Sequence, residues 1–536
     1  TSFWSTIPGR GGHFSLEGYR QILEIPRVAS MLYNTVVVIV FGTIIAVFLG
    51  VGVALLINKF DTPGSELVSY LLIIQYILPS IIVALSWSLI AGPNGVINEA
   101  IQTIGLAQGP VINVHNEWGI AFALGVHYAG LVYLLVNGAI ASVPSSMEES
   151  ARVWGANPYN VVKRVTLALS FPSILVAAII VAALVAQNFG GPLMLGLPSG
   201  TYVISTFIYI NVARYPTNFA VASALGVILI LLIVLALIGQ WYIKGSSEGY
   251  QTIVGRGTED TQVSLSLTRR SRMMTAVLTF GVAGIILLPL AYLLISSFLN
   301  AAVGIFSEYS YLTLEHYLRF FVGSRSAAFW SALLNTFFIA TVGSFLSMVI
   351  ASLISYVIVK GKTGLSTLLD IMMLAPIAIP IIILGVAYLW FFITYDVLNL
   401  YGSVWVIIIA IASREIVYGT RAANSSLRSI GDSLEEVAQL SGANLLTILK
   451  RVYYPLIRPG FAAGFVIAFT HYFKAFTIPI LLRESGFHVL STLMFQSWRN
   501  GHISEAVTIA TITAGIIVTL VALIQRFTDV ELTSLS

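Results

Sequence analysis

Cysteine is absent from this chain, and charge is nearly so. Without thiols there are no disulfides, no thiolate metal sites and no cysteine nucleophile. Only 9% of the 536 residues are Asp, Glu, Lys or Arg, where a soluble domain carries about 25%. Paired histidines and catalytic clusters are missing too, which argues against a membrane redox subunit or an enzyme. The net charge of +4 is too small and too dispersed to suggest nucleic acid binding. What fills the chain instead is apolar: 57% hydrophobic residues and a mean hydropathy of +0.91. Apolar runs of roughly 20 residues recur, the length that crosses a bilayer as a helix. Barrel strands would show a ten-residue alternation instead. In lipid each backbone amide must be paired within its own segment, so these runs are expected to be helices. The fold class is an all-α polytopic membrane protein.

Eleven spans are expected, near 32–58, 67–91, 119–141, 168–189, 217–243, 273–298, 331–359, 366–394, 403–424, 459–482 and 504–526. Between the fifth and sixth lies a polar stretch, 244–272, rich in Gly, Ser and Thr. It lacks apolar periodicity and reads as an interdomain linker. The chain thus divides into a first half (1–243), a cytoplasmic linker (244–272) and a second half (273–536).

The halves are repeats. "NTVVVIVFGT" at Asn34 faces "NTFFIATVGS" at Asn335, an offset of 301 that also pairs Lys59 with Lys360 and Pro79 with Pro380. Beyond the loop near 92–118 the offset becomes 287, pairing Asn137 with Asn424, Gly155 with Gly442, Pro172 with Pro459 and Pro192 with Pro479. The first half therefore carries a longer external loop. The second half has a helix at 273–298 before "LTLEHY", whereas the first half has "FSLEGY" with no helix ahead of it. The expectation is two halves of six helices each, with the first helix of the first half missing. Six spans per half put equivalent loops on one side, so the repeats run parallel, about an axis along the membrane normal.

Two polar islands stand out from the oily background. "EESARVWGANPYNVVKRV" begins at Glu148 and "EEVAQLSGANLLTILKRV" at Glu435, 287 residues apart. Each is expected to form a short helix, a bend and a second helix. Ser145 or Ser146 would cap the first helix, with Glu148 and Glu149 near its positive end. Asp432 or Ser433 would do the same in the second copy. Gly155 and Gly442 would supply the left-handed bend, and Asn157 and Asn444 would restart the chain. Val161, Val162 and Val165 interleave with Lys163 and Arg164, an amphipathic pattern suited to a partner's groove. If both islands face the cytoplasm, that side holds 17 Lys and Arg against 8 outside, with Arg414 and Lys474 within spans. This is the bias expected of inner loops.

The pattern Glu-x-Ala-x-x-x-Gly, read as Glu149, Ala151, Gly155 and again as Glu436, Ala438, Gly442, resembles the coupling motif of ABC importer permeases. Ala156 and Ala443 follow the two glycines. The fused arrangement is similar to the ferric-iron-type permeases, over nearly the whole chain. The family's Leu-Pro after the second helix is Leu167-Ala168 in one copy and Tyr454-Pro455 in the other, so the two docking surfaces are expected to differ. The resemblance implies that each motif docks on one subunit of a separate ABC ATPase homodimer, which would bind the ATP and magnesium; this chain would carry no cofactor. It also implies a periplasmic or lipid-anchored solute-binding protein, membrane lipid around the spans, and the bacterial inner membrane. "VIVKGKTG" places Tyr356 where a phosphate-binding loop needs its first Gly, and reads as a basic turn.

Charges inside spans usually face a cavity or a partner. Lys474, Arg414 and Glu415 are therefore candidates for the solute path. Gln187 is the first-half counterpart of Lys474, and Asn188 stands where, by the resemblance, iron-type relatives carry Asp before Phe-Gly. A pairing of Lys474 with Glu415 is the purely structural alternative, and His127 and His471 are expected to be hydrogen-bonded packing. The solute stays open between ferric iron and a small organic solute or anion such as a phosphonate, polyamine or thiamine. A secondary transporter is the competing class, but it needs buried acids, which are scarce here, and it leaves the duplicated islands unexplained.

Overall fold

The computed structural model describes residues 14–60, 62, 64–246, 269–302, 306, 310–361, 364–373, 376, 379–395, 400–428, 434, 437–438 and 440–528. Almost all of the 244–272 linker falls outside them. The first half runs through α1 (Val28–Asn58), α2 (Ser65–Ile77), α3 (Ser80–Ala91), α4 (Glu117–Ala141), α5 (Ser145–Val153), α6 (Pro158–Gln187), α7 (Gly190–Gly196), α8 (Ile204–Ala213) and α9 (Phe219–Ser246). The second half follows the same order: α10 (Arg269–Ser297), α11 (Ser326–Lys360), α12 (Gly364–Met372), α13 (Ile381–Tyr395), α14 (Val404–Arg428), α15 (445–473), α16 (Thr477–Leu482), α17 (Leu490–Arg499) and α18 (Ile503–Thr528).

Among the described residues, eight helices are long and apolar enough to cross a membrane. The other three expected spans, near 217–243, 366–394 and 403–424, are also helical, as α9, the α12 and α13 pair, and α14. The prolines explain the interruptions. Pro79 takes the N-cap of α3 and stops α2 just before it, because a proline ring clashes with a helical residue preceding it. Pro380 stands in the same relation to α13. Pro192 and Pro479 lie inside the short helices α7 and α16.

The repeat is visible contact by contact. Asn34 Nδ2 donates to the Tyr202 carbonyl at 3.1 Å, and Asn335 Nδ2 to the His488 carbonyl at 3.0 Å. The Ile204 amide donates to Thr35 Oγ1 at 3.0 Å, and the Leu490 amide to Thr336 Oγ1 at 2.9 Å. The Asn-Thr pair on α1 and its counterpart on α11 thus receive the start of α8 and of α17. These bonds replace water that lipid cannot supply.

Helix packing follows the same plan with one exchange. α1 lies along α4, and α11 along α14. At Gly50 an added Cβ would sit 2.6 Å from the Ala129 carbonyl oxygen and 2.6 Å from Val132 Cβ. The repeat counterparts are Ala351 and Gly419, where a Cβ on the glycine would meet Ala351 Cβ at 2.8 Å and Met348 Sδ at 2.8 Å. The small residue that lets the backbones approach has changed helices between the halves. Gly50→Ala should lower the apparent melting temperature of the detergent-purified protein, at a cost of about 1–3 kcal/mol from overpacking. Adding Val132→Gly removes the side-chain contact and leaves the Ala129 carbonyl and the Tyr133 amide nitrogen in place, so it should recover only part of the loss. An unchanged melt in the single variant would contradict this packing.

Candidate functional site

The first polar island forms the helix–bend–helix unit that the sequence anticipates and differs from it at its first turn; of the second island, the glycine bend and the helix after it lie among the described residues. Pro144, not a serine, occupies the N-cap of α5, with no side-chain cap. Glu148 does not sit at an exposed helix end. It turns inward and is 3% exposed. Its Oε1 lies 3.0 Å from Lys59 Nζ and accepts from Thr166 Oγ1 at 2.7 Å. Lys59 caps the C-terminus of α1 and also donates to the Val143 carbonyl at 3.4 Å. Thr166 closes a π-helical turn, Val162–Thr166, early in α6. One buried ion pair therefore fastens the end of α1, the motif helix α5 and the start of α6 together. A buried pair is favourable only where hydrogen bonds complete it, and Thr166 and the Val143 carbonyl do so.

Glu149 remains exposed. Ala151 and Ala156 pack on Val161, Val162, Leu55 and Phe60, a small core beneath the motif. In the second copy Ala438 and Ala443 pack on Leu427, Ile448, Tyr453 and Ile457. Glu436, with Asp432 and Ser433, lies outside the described residues. Gly155 and Gly442 adopt φ of +85° and +79°, the left-handed conformation assigned to them. Asn157 Oδ1 accepts from the Asn160 amide and Asn444 Oδ1 from the Thr447 amide, restarting the chain in both copies. A second π-helical turn, Leu449–Tyr453, matches the first. Tyr453 replaces Thr166 there, and Lys360 Nζ stands 5.8 Å from the centre of its ring. The outer face of the first unit holds a recess of about 360 Å³ lined by Trp154, Gly155, Asn160, Arg164 and Val165. Trp154 is 90% exposed, and in the second unit Leu440 is 88% exposed.

A second constellation lies where the halves meet. α6 stops at Gln187 and α15 at Phe473, each followed by a short break before α7 or α16. Ser205 Oγ donates to the Asn188 carbonyl at 2.8 Å, and its counterpart Ser491 Oγ to the Ala475 carbonyl at 2.6 Å. Between the breaks, Phe189 and Phe476 stack with ring centres 5.7 Å apart and planes 14° from parallel. These two residues are repeat counterparts. Equivalent residues touch each other only near the axis that relates them. Tyr209 and Phe495, also counterparts, flank the stack at 5.2 and 5.4 Å.

The remaining polar groups gather beside this stack. Lys474 Nζ stands 5.5 Å from the centre of the Tyr76 ring, on the opposite half. Glu415 Oε2 is 2.8 Å from His471 Nδ1, and Tyr418 packs edge-on against His471. The expected alternative, Lys474 paired with Glu415, is not the arrangement found: among the described residues no carboxylate lies within 4 Å of Lys474. Lys474 still lies within the electrostatic reach of both Glu415 and Arg414. Asn188 donates to the Tyr128 hydroxyl at 3.0 Å and accepts from Ser80 Oγ at 3.2 Å. Gln187 is buried, with its Oε1 unbonded among the described residues. His127 Nδ1 meets the Gln75 carbonyl at 3.1 Å, so both span histidines are hydrogen-bonded.

A family model described as "Binding-protein-dependent transport system inner membrane component" matches residues 42–245 and again 343–530, one match per half. The chain belongs to this family. It is a fused two-half permease, and its relatives are named accordingly. The "Ferric transport system permease protein FbpB" of Actinobacillus pleuropneumoniae is 25% identical over 96% of this chain and 73% of its own length. The "Fe(3+)-transport system permease protein FbpB 2" of Haemophilus influenzae is 24% identical over 91% of this chain and 86% of its own. The "Putative 2-aminoethylphosphonate transport system permease protein PhnU" of Salmonella typhi is 25% identical over 42% of this chain and 78% of its own. A solved bacterial ABC transporter that imports alginate matches 49% of this chain and 99% of its own at 20% identity, with a TM-score of 0.38, too low to carry weight.

Sequence reasoning missed the Lys59–Glu148 pair in this permease, although a signal was present. Lys59 recurs as Lys360, and Glu148 as Glu435. Tyr76, Tyr128 and Tyr418 were also passed over, because tyrosine in a span reads equally well as an interface residue. The buried pair makes a direct prediction. Lys59→Met or Glu148→Gln should each destabilise the permease by about 3–5 kcal/mol, the cost of stranding one buried partner. The double variant Lys59→Met/Glu148→Met should melt closer to the parent than either. Equal melts for parent and single variants would show that the pair holds nothing.

Proposed function

We propose that the permease forms the translocation pathway of an ABC importer and couples ATP hydrolysis by a separate ATPase dimer to solute uptake. The observation that supports this most is the pair of repeat-related units, each with a left-handed glycine bend followed by a helix. Each unit is anchored from beneath and offers exposed apolar residues to a partner, with Glu149 exposed beside them in the first. Two equivalent handles suit a partner made of two equivalent subunits. Glu149, Ala151, Gly155 and Ala156 in one half, and Glu436, Ala438, Gly442 and Ala443 in the other, are the coupling residues of this reading. Both handles face the cytoplasm. ATP and magnesium are bound by the partner, and closure of the ATPase dimer brings the handles together. A solute can shift the permease between inward- and outward-facing states only through its differential affinity for the two. A periplasmic or lipid-anchored binding protein delivers that solute. Ferric iron and a small anion such as a phosphonate are the leading candidates, following the names of the relatives.

The bends provide the test. Gly155→Leu and Gly442→Leu place a branched side chain at φ of +85° and +79°, a strain of about 1–2 kcal/mol, without a clash, since a Cβ at either position meets nothing within 4 Å. Both variants should fold yet lose co-purification with the ATPase, and ATP-driven uptake in proteoliposomes should fall at least about tenfold, the factor that 1.4 kcal/mol sets. Parent-like association and uptake in both would remove the coupling role. The absence of native cysteine allows a check on orientation. A single cysteine at Lys163 or Arg451 should react with an impermeant maleimide in inside-out vesicles and not in right-side-out ones; the reverse would invert the topology.

A further inference from the structure

Two cations stand at the junction of the halves without a counter-charge of their own. Arg414 lies near the middle of α14, and among the described residues it makes no hydrogen bond or ion pair. Lys474 follows the last residue of α15, and its close neighbour is the face of Tyr76 at 5.5 Å. The nearby carboxylate, Glu415, is already engaged with His471 at 2.8 Å. Two positive charges therefore face at most one negative charge, and that one is shared. Ionised groups at this depth are costly unless something answers them.

The excess is built into one half only. The repeat counterparts of Arg414 and Lys474 are His127 and Gln187. His127 is buried against the Gln75 carbonyl. A charge needed merely to hold the fold would be expected in both copies, because the surrounding contacts are repeated almost bond for bond. Lys474, Arg414, Tyr76, Tyr418 and His471 are all only partly buried. Beside Tyr76, Gln75 is fully buried, and neither atom of its side-chain amide has a partner among the described residues. An unmet buried amide is itself costly.

We infer that Lys474 and Arg414, with the Tyr76 ring beside them, form a transit site for an oxyanion: a carboxylate, phosphate or phosphonate group carried by the solute. Lys474 supplies a compact ammonium, and Arg414 supplies a planar fork of donors that matches two oxygens of one acid group. Unequal halves make the site polar across the axis, so an anion entering between the halves is drawn toward the second. A bare trivalent cation is disfavoured by the same two charges. Among the described residues no three His, Asp or Glu side chains converge to hold it. Iron would cross this site only inside an anionic chelate. This inference deepens the importer reading and rests on it for the direction of transport, though not for binding itself.

The test uses the full-length permease in nanodiscs of zwitterionic phosphatidylcholine, titrated with methylphosphonate and followed by phosphorus NMR. Methylphosphonate should bind, acetate and phosphate should compete, and ethylammonium should not; competition by ethylammonium overturns the site without any variant. Lys474→Gln and Arg414→Gln should each weaken methylphosphonate about tenfold or more, as expected for a lost charged hydrogen bond, and Lys474→Arg should restore most of the affinity. Parent-like binding in both neutral variants overturns the proposal. Adding phosphatidylglycerol should leave the affinity unchanged; a marked loss would make a lipid headgroup the occupant and overturn the solute assignment. The same preparations are mixed with the ATPase. Anion binding with no ATPase association in the parent would sink the importer reading and leave the site standing. ATPase association with no anion binding would do the opposite.

Discussion

A carbonyl left bare in hydrocarbon costs several kcal/mol, and this molecule is arranged around the two places where long helices stop inside the bundle. At Asn188 and at Ala475 the chain leaves helical geometry, and a serine from the following helix, Ser205 or Ser491, caps the exposed carbonyl. Such a break is tolerable only against protein or a water-filled space, so the breaks cannot face lipid. They face each other. The Phe189–Phe476 stack then follows from placement, since the residue after each break is driven to the axis, where equivalent parts of both halves meet. The groups that could touch a solute, Lys474 above all, are next to a break for the same reason. Irregular backbone and functional side chains thus share the region where the halves meet at the axis.

Much of this was legible beforehand. The spans, the duplication and the glycine bends all depend on strong local rules: apolar length, a period of recurrence and the conformational freedom of glycine. Gly155 and Gly442 have the conformation expected of them because no other residue takes it as readily. The departures lie in caps and partners. Ser145 and Ser146 looked like caps, but Pro144 takes that position. Glu148 looked like a surface acid near a helix dipole, but it pairs with Lys59, 89 positions earlier in the numbering. The structural alternative of pairing Lys474 with Glu415 is not what is found, because His471, one turn before Lys474, takes the carboxylate. The Glu148 reading replaced a tertiary contact with a local one. Long-range pairings leave no trace in a local pattern, and duplication gave the only hint, because Lys59 and Glu148 both recur.

The halves share a scaffold while their chemistry has diverged. Beneath the first handle an acid, a base and a hydroxyl hold three elements together. Beneath the second, Tyr453 replaces the hydroxyl and Lys360 lies against its ring. At the axis, positive charge belongs to one half and neutral polar groups to the other. Pseudosymmetry therefore organises the frame of the conduit, and its departures from symmetry supply the features that could give the path a chemical preference.

The exchanged glycine has a consequence for assembly. In the first half α1 presents Gly50 to Val132; in the second α11 presents Ala351 to Gly419. Suppose the nascent chain paired α1 with α14. Glycine would then face glycine and leave a void. Suppose instead that α11 met α4. Alanine would face valine, with no room for both. Either mispairing is penalised, although the four helices look nearly interchangeable by hydropathy. A chain made of two similar halves risks shuffling its own pieces as it enters the bilayer. By moving one hydrogen-sized side chain from one helix to its neighbour, this one gives each pair a shape that rejects the other's partner.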